Sequence, residues 1–187
     1  MNSTGTAGRV RTGTYTLDPA HSRLGFVARH AMVTKVRGGF NAFDGTGHLD
    51  ADDPTRSTAQ VTIEVASVDT RNEQRDAHLR TNDFLDATNH PLITFATTAV
   101  QRVDDVHYLV TGDLTIKGIT RPITIEFEFN GSAVDTTGAE RVGFSGTATI
   151  NRRDFGVSFN AVLETGGVMV SEQIGLEFDI SAVRVPD

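Results

Sequence analysis

The chain has 187 residues, 38% apolar and 22% charged, with a formal net charge of −7 and no cysteine. That length suits one domain, and the missing cysteines exclude disulfides, thiolate catalysis and cysteine-ligated zinc or iron–sulfur centres. The negative charge argues against a nucleic-acid partner, whose phosphates require basic patches. The aromatic set is 11 Phe and 2 Tyr with no Trp, rings suited either to a filled core or to the wall of an apolar cavity.

In chain order, residues 1–13 are small and polar and read as a flexible tail, followed by one domain over 14–187. The tail has no apolar stretch of signal-peptide type, and nothing downstream approaches the ~18 unbroken apolar residues of a membrane helix. The expectation is a soluble, cytoplasmic protein. Leu24, Phe26 and Ala28 begin a period-two pattern, the mark of half-buried strands. Between Val36 and Asp50 the phase slips: Phe40 and Ala42 share one parity, while Phe43, Gly45, Gly47 and Leu49 share the other. A slip of one residue turns every side chain to the other face, so a bulge or bend is expected near Ala42.

Ala59, Val61, Ile63 and Val65 resume the alternation. Thr70 and Glu73 then form a capping-box pattern opening a short polar helix through Leu79, with Ala77 and Leu79 as its apolar stripe. A turn at Asp83–Asp86 and Pro91 lead to Ile93 and Phe95. Alternation continues through Tyr108, Val110, Gly112, Leu114 and Ile116, then Ile123, Ile125, Phe127 and Phe129. Val142, Phe144, Gly146, Ala148 and Ile150 follow, and Ile174, Leu176, Phe178 and Ile180 close the series. Asp104-Asp105 and Lys117-Gly118 have hairpin spacing. About eight substantial strands result, with one short leading strand. Alternation of this kind belongs to antiparallel sheet, and glycines within long strands fit the bends of a closing barrel.

Catalytic and metal motifs are poorly represented. Gly143-Phe144-Ser145-Gly146 lacks the last glycine and the strand–turn–helix setting of a nucleophile elbow. Asp50, Asp52 and Asp53 lack the glycine and closing glutamate of a calcium loop. The six histidines show no i, i+2 strand or i, i+4 helix pairing, which leaves only a site assembled from distant segments. Strand carboxylates such as Glu64, Glu126 and Glu177 fall on the outward parity.

Six motifs in order carry a resemblance. They are Asp18-Pro19-Ala20-His21-Ser22 with Phe26 and Arg29-His30, then Arg37-Gly38-Gly39-Phe40, and then Arg75-Asp76-Ala77-His78-Leu79. Gly112-Asp113-Leu114-Thr115-Ile116-Lys117-Gly118 runs on into Ile119-Thr120-Arg121-Pro122, and Asn151-Arg152-Arg153-Asp154-Phe155-Gly156 completes the set. Together they resemble the YceI-like family of polyisoprenoid-binding, lipocalin-like barrels over roughly Tyr15 to Val183. The resemblance implies an all-β, eight-stranded antiparallel barrel with a short helix and loops capping one end. It also implies a bound isoprenoid lipid, a prenylated quinone or polyprenyl phosphate, with no covalent cofactor, no metal and no established catalysis.

Strand phase and motif position point Phe26, Phe40, Phe95, Leu114, Ile116, Phe127, Phe144 and Ile174 into the pore, with Gly25, Gly112, Gly146 and Ala148 leaving room along its axis. Met32, Phe84, Leu85, Phe155, Phe159 and Met169 are expected at its mouth. Arg75, Asp76, His78 and Arg152 read as an ion-paired network anchoring the helix. The leading expectation is a carrier or store that sequesters a long isoprenoid, with a homodimer through edge strands as a further option. The alternative is a lipid-active enzyme or a redox partner using a bound quinone, which needs a titratable group such as His30 or His48 at the pore. A third is a stress-associated module that binds protein through an apolar outer patch.

Overall fold

The computed structural model describes residues 9–164 and 167–187. The alternating segments form β1 (Gly13–Leu17), β2 (Arg23–His30), β3 (Thr34–Phe40), β4 (Phe43–Leu49), β5 (Thr58–Glu64) and β6 (Val68–Asp69). The helix α1 (Glu73–Leu79) follows, then β7 (Leu92–Arg102), β8 (His107–Ile116), β9 (Ile119–Val134), β10 (Glu140–Asn151) and β11 (Gln173–Arg184). Three pairs of these are halves of single strands. A 3-10 turn at Pro19–His21 separates β1 from β2, where Asp18 accepts from the Ala20 amide and Pro19 has no donor to give a ladder. A bend at Asn41–Ala42 divides β3 from β4, where the sequence changes phase, and a turn at Val65–Ser67 divides β5 from β6.

Counted this way, eight antiparallel strands run in sequence order around a closed barrel. The ring closes because β11 pairs with both halves of the first strand, Tyr15–Leu17 in β1 and Arg23–Val27 in β2. Closure removes the sheet edges that an edge-paired dimer would use. Register keeps one parity inside: Tyr108 lies opposite Phe127, Val110 opposite Ile125 and Gly112 opposite Ile123. The hairpin between β8 and β9 turns on Lys117 and Gly118, both at positive φ (53° and 75°), the geometry of a two-residue turn that matches strand twist.

One end of the barrel holds the densest packing. Val65, Phe84, Ile93, Leu114, Phe155 and Val157 form a buried cluster there, beside α1 and the segments between Arg80 and Pro91 and after Arg152. The helix cap differs from expectation: Asn72, not Thr70, is the N-cap, its side chain accepting from the Arg75 amide. Thr70 is buried and instead donates its amide and hydroxyl to Asp76 Oδ1 at 2.9 and 2.5 Å. Ala77 is exposed, and α1 turns Asp76 and Leu79 inward. A two-turn helix buries little apolar area, so hydrogen bonds to β6 and its flank hold it in place. No helix among the described residues is long and apolar enough to cross a membrane.

Candidate functional site

The inward faces enclose a cavity of about 540 Å³ that runs along the barrel, within the ~300–1,000 Å³ range of ligand pockets. Its wall is built from the alternating sets: Ala59, Val61 and Ile63 from β5, Ile123, Ile125, Phe127 and Phe129 from β9, Ile174, Leu176, Phe178 and Ile180 from β11. Strand pleat alone places these side chains on one face. Phe127 meets Phe144 edge-on at 6.2 Å and lies 6.3 Å from Phe178, while Phe129 lies 5.3 Å from Phe144.

Three rings lie against glycine on a neighbouring strand. A Cβ on Gly38 would come within 2.5 Å of the Phe26 ring, one on Gly112 within 2.4 Å of Phe95, and one on Gly146 within 2.4 Å of Phe127. The missing side chains let each ring rest flat against the wall and keep the bore open. Gly25 also borders the cavity, but a Cβ there would take the outward parity of Arg23 and come within 2.9 Å of its guanidinium. Ala148 is half-buried but lies outside the cavity lining.

All eight residues assigned to the pore by phase, Phe26, Phe40, Phe95, Leu114, Ile116, Phe127, Phe144 and Ile174, line this cavity. The same parity sets also supply Ile125, Phe129, Leu176 and Phe178, which the eight omitted. The six residues expected at a mouth divide differently. Phe84, Leu85 and Phe155 line the cavity, but at its closed end: Phe155 is 2% exposed and Phe84 8%. Phe159 sits behind them, 5.2 Å from Phe84 and 5.0 Å from His78, outside the lining. Met32 is exposed at the β2–β3 turn, and Met169 hydrogen-bonds through its backbone to Ala31 and Ala161; neither lines the cavity.

The opposite end reaches the surface between Val10, the Leu49–Pro54 stretch, Asp105 and Tyr108, where the Asp105 side chain is 95% exposed. Val10 belongs to the expected tail. Residues 1–8 of that tail lie outside the described residues, while Arg11 pairs with Glu140 at 2.8 Å and Thr12 accepts from the Ala51 amide.

Charge around the cavity is sparse. Only Asp50, Asp105 and Arg152 among its lining residues are charged. The expected ion-paired network of Arg75, Asp76, His78 and Arg152 does not form. Arg75 donates to Thr70, and His78 Nε2 contacts Asp83 at 2.8 Å. Arg152 donates only to backbone carbonyls, those of Ser171, Val157 and Val170. Burial pushes its guanidinium below the ordinary arginine value, with the neighbouring Arg153 adding to the shift. No cluster of three metal-ligating side chains occurs among the described residues. His30 and His48, the candidates for pore chemistry, are both exposed and outside the lining. The arrangement can enclose an apolar chain.

Comparison with known proteins agrees with that geometry. A family model described as YceI-like domain matches residues 15–182. A UPF0312 protein of Staphylococcus aureus strain MSSA476 is 43% identical over 164 residues, 87% of this chain and 93% of the relative. BcnA of Burkholderia cenocepacia superposes with a TM-score of 0.78 at 26% identity, over 88% of this chain and 98% of its own. The Campylobacter jejuni YceI protein gives 0.74 at 30% identity, over 84% and 90%. A polyisoprenoid binding domain from Saccharophagus degradans shares the fold, with a TM-score of 0.67 and 16% identity over 91% and 98%.

Proposed function

The chain belongs to the YceI-like family, and from that premise we propose that it sequesters and carries one long-chain isoprenoid lipid, a prenylated quinone or polyprenyl phosphate, in the barrel cavity. The observation that carries this reading is the cavity itself: about 540 Å³ walled mostly by apolar side chains, with three charged residues at its ends. An apolar tail moved from water into it gains about 25 cal/mol per Å² of buried surface, less the cost of ordering. The shared fold with a polyisoprenoid binding domain supports the ligand class. The ligand enters at the half-exposed rim near Leu49, Asp50 and Tyr108, because the other end is closed by Phe84 and Phe155.

Protein purified without detergent is extracted into organic solvent and the extract identified by mass spectrometry. One isoprenoid per chain is expected; no lipid in any preparation would sink the proposal. Phe127→Asp places a carboxylate midway along the apolar wall and abolishes retention in a folded variant, checked by circular dichroism alongside the extraction.

A further inference from the structure

Arg152 is 5% exposed and, among the described residues, is the one cation lining the cavity. Its guanidinium donates from Nε to Ser171 O at 2.9 Å, from Nη1 to Val157 O at 2.7 Å and from Nη2 to Val170 O at 3.4 Å. All three partners are neutral. Two of the five guanidinium N–H groups are left over, and among the described residues no carboxylate lies within 4.0 Å; Glu172 acts on Arg152 only from a longer distance and pairs directly with Arg153 at 3.1 Å.

Elsewhere the chain gives Arg184 and Arg141, one buried and one half-buried, carboxylate partners. Arg184, whose side chain is 9% exposed, has Glu140 at 3.6 Å and Asp187 at 3.0 Å. Arg141 is held between Asp18 at 2.6 Å and Asp135 at 2.7 Å. A buried charge without a counter-charge is costly, and the carbonyls around Arg152 fix its position without neutralising it. At the rim, Asp50 and Asp105 are the charged lining residues, and the carboxylates there have partners: Asp52 pairs with Arg9, Asp53 with Arg56 and Asp105 with Arg102, while Asp104 contacts His107. An anionic group therefore meets a cation without a directly paired carboxylate at the closed end and not at the rim.

We propose that Arg152 is an anion seat, and that the ligand of this barrel carries a phosphate or carboxylate head group which docks at the closed end with its tail running toward the rim. Resting on the isoprenoid reading above, the proposal adds the charge of the head and the direction of the molecule. The head group supplies the missing counter-charge to the guanidinium and accepts its uncommitted N–H groups, the strongest class of hydrogen bond available to it.

The test uses three probes with one C20 tail: geranylgeraniol, geranylgeranyl phosphate and geranylgeranoic acid, titrated by calorimetry into delipidated protein. Both acids are expected to bind roughly tenfold or more tightly than the alcohol, the factor that a charge-assisted hydrogen bond conveys. Arg152→Met collapses that gap; should it fail to fold, Arg152→Lys keeps a cation and preserves the gap. The phosphorus resonance of the bound phosphate is expected to be shielded from a soluble paramagnetic lanthanide chelate. Equal affinities for acid and alcohol, or a phosphate broadened as in free solution, would overturn the anion seat while leaving isoprenoid binding intact. Failure of all three probes would instead overturn the function proposed above.

Discussion

The two ends of the barrel are made from the same strands and finished differently. At the closed end, His78, Phe84 and Phe159 stack edge to face with centroids 5.0 to 5.2 Å apart, over Phe155 and Val65 at 2% and 1% exposure. At the rim, Tyr108, Leu49 and Asp50 remain half-exposed and the nearby loops are tied by ion pairs such as Arg11–Glu140. Alternation builds the wall of both. What separates them is the loop sequence: aromatic and aliphatic residues on a helix and two loops seal one end, and short polar turns leave the other open. Stability is concentrated in the first, access in the second.

Truncation separates the two ends most strongly. Phe155→Ala, which empties a fully buried ring site, is expected to cost about 3–5 kcal/mol, read from urea unfolding. Tyr108→Ala at the rim is expected to cost less than about 1.5 kcal/mol, since the ring is only partly enclosed. Equal losses would erase the distinction between a load-carrying end and an open one. A smaller effect is expected in between. Gly146→Val brings a branched side chain against the Phe127 ring, at an overpacking cost of about 1–3 kcal/mol, and drives the ring into the bore. Lipid retained per chain, measured on purified protein, falls while the closed end keeps its packing. If retention is unchanged, the glycine does not set the width of the cavity.

The smallest effect belongs to the outer wall on the rim side. Hydrogen bonds from Arg141 and His21 hold the Asp18 carboxyl well below its usual range, at about 2. A carboxylate depressed on folding adds stability that is present above its unfolded value of about 4 and disappears as pH falls through its folded one. The wild type therefore loses stability between about pH 4 and pH 2 that Asp18→Asn never had, and thermal melts of the two converge at the acid end. A constant difference across that range would remove Asp18 as the source.

Much of the wall was legible in the sequence because period-two alternation is a local consequence of the pleat. Each parity set from Ala59 to Ile180 names its own inward face, and the phase slip at Ala42 marks the bend between β3 and β4. The ends were less legible, since they depend on contacts between segments far apart in the chain. Phe84 and Phe155 carry no local sign that they meet Val65 and Val157, so an expected mouth is a seal. Thr70 has the spacing of a cap, but burial beside Asp76 gives its hydroxyl a better partner and passes the cap to Asn72. Gly25 is a mixed case: its parity is that of Arg23, yet with no side chain it still borders the cavity. Arg152 carries a charge that ordinarily stays in water, and its burial is visible only once Val157, Val170 and Ser171 are brought against it.

The rings of Phe26, Phe95 and Phe127 rest on Gly38, Gly112 and Gly146, so the gauge of this tube is written in its smallest residues rather than its largest. Adding one carbon at a glycine shifts an entire ring, which makes each position a lever with high gain on ligand girth. Selection acting at Gly146, where an added carbon meets only the Phe127 ring, could thus re-bore the barrel for straight, branched or ring-bearing chains, whereas at Gly112 it would also press on the Ala96 carbonyl of the wall.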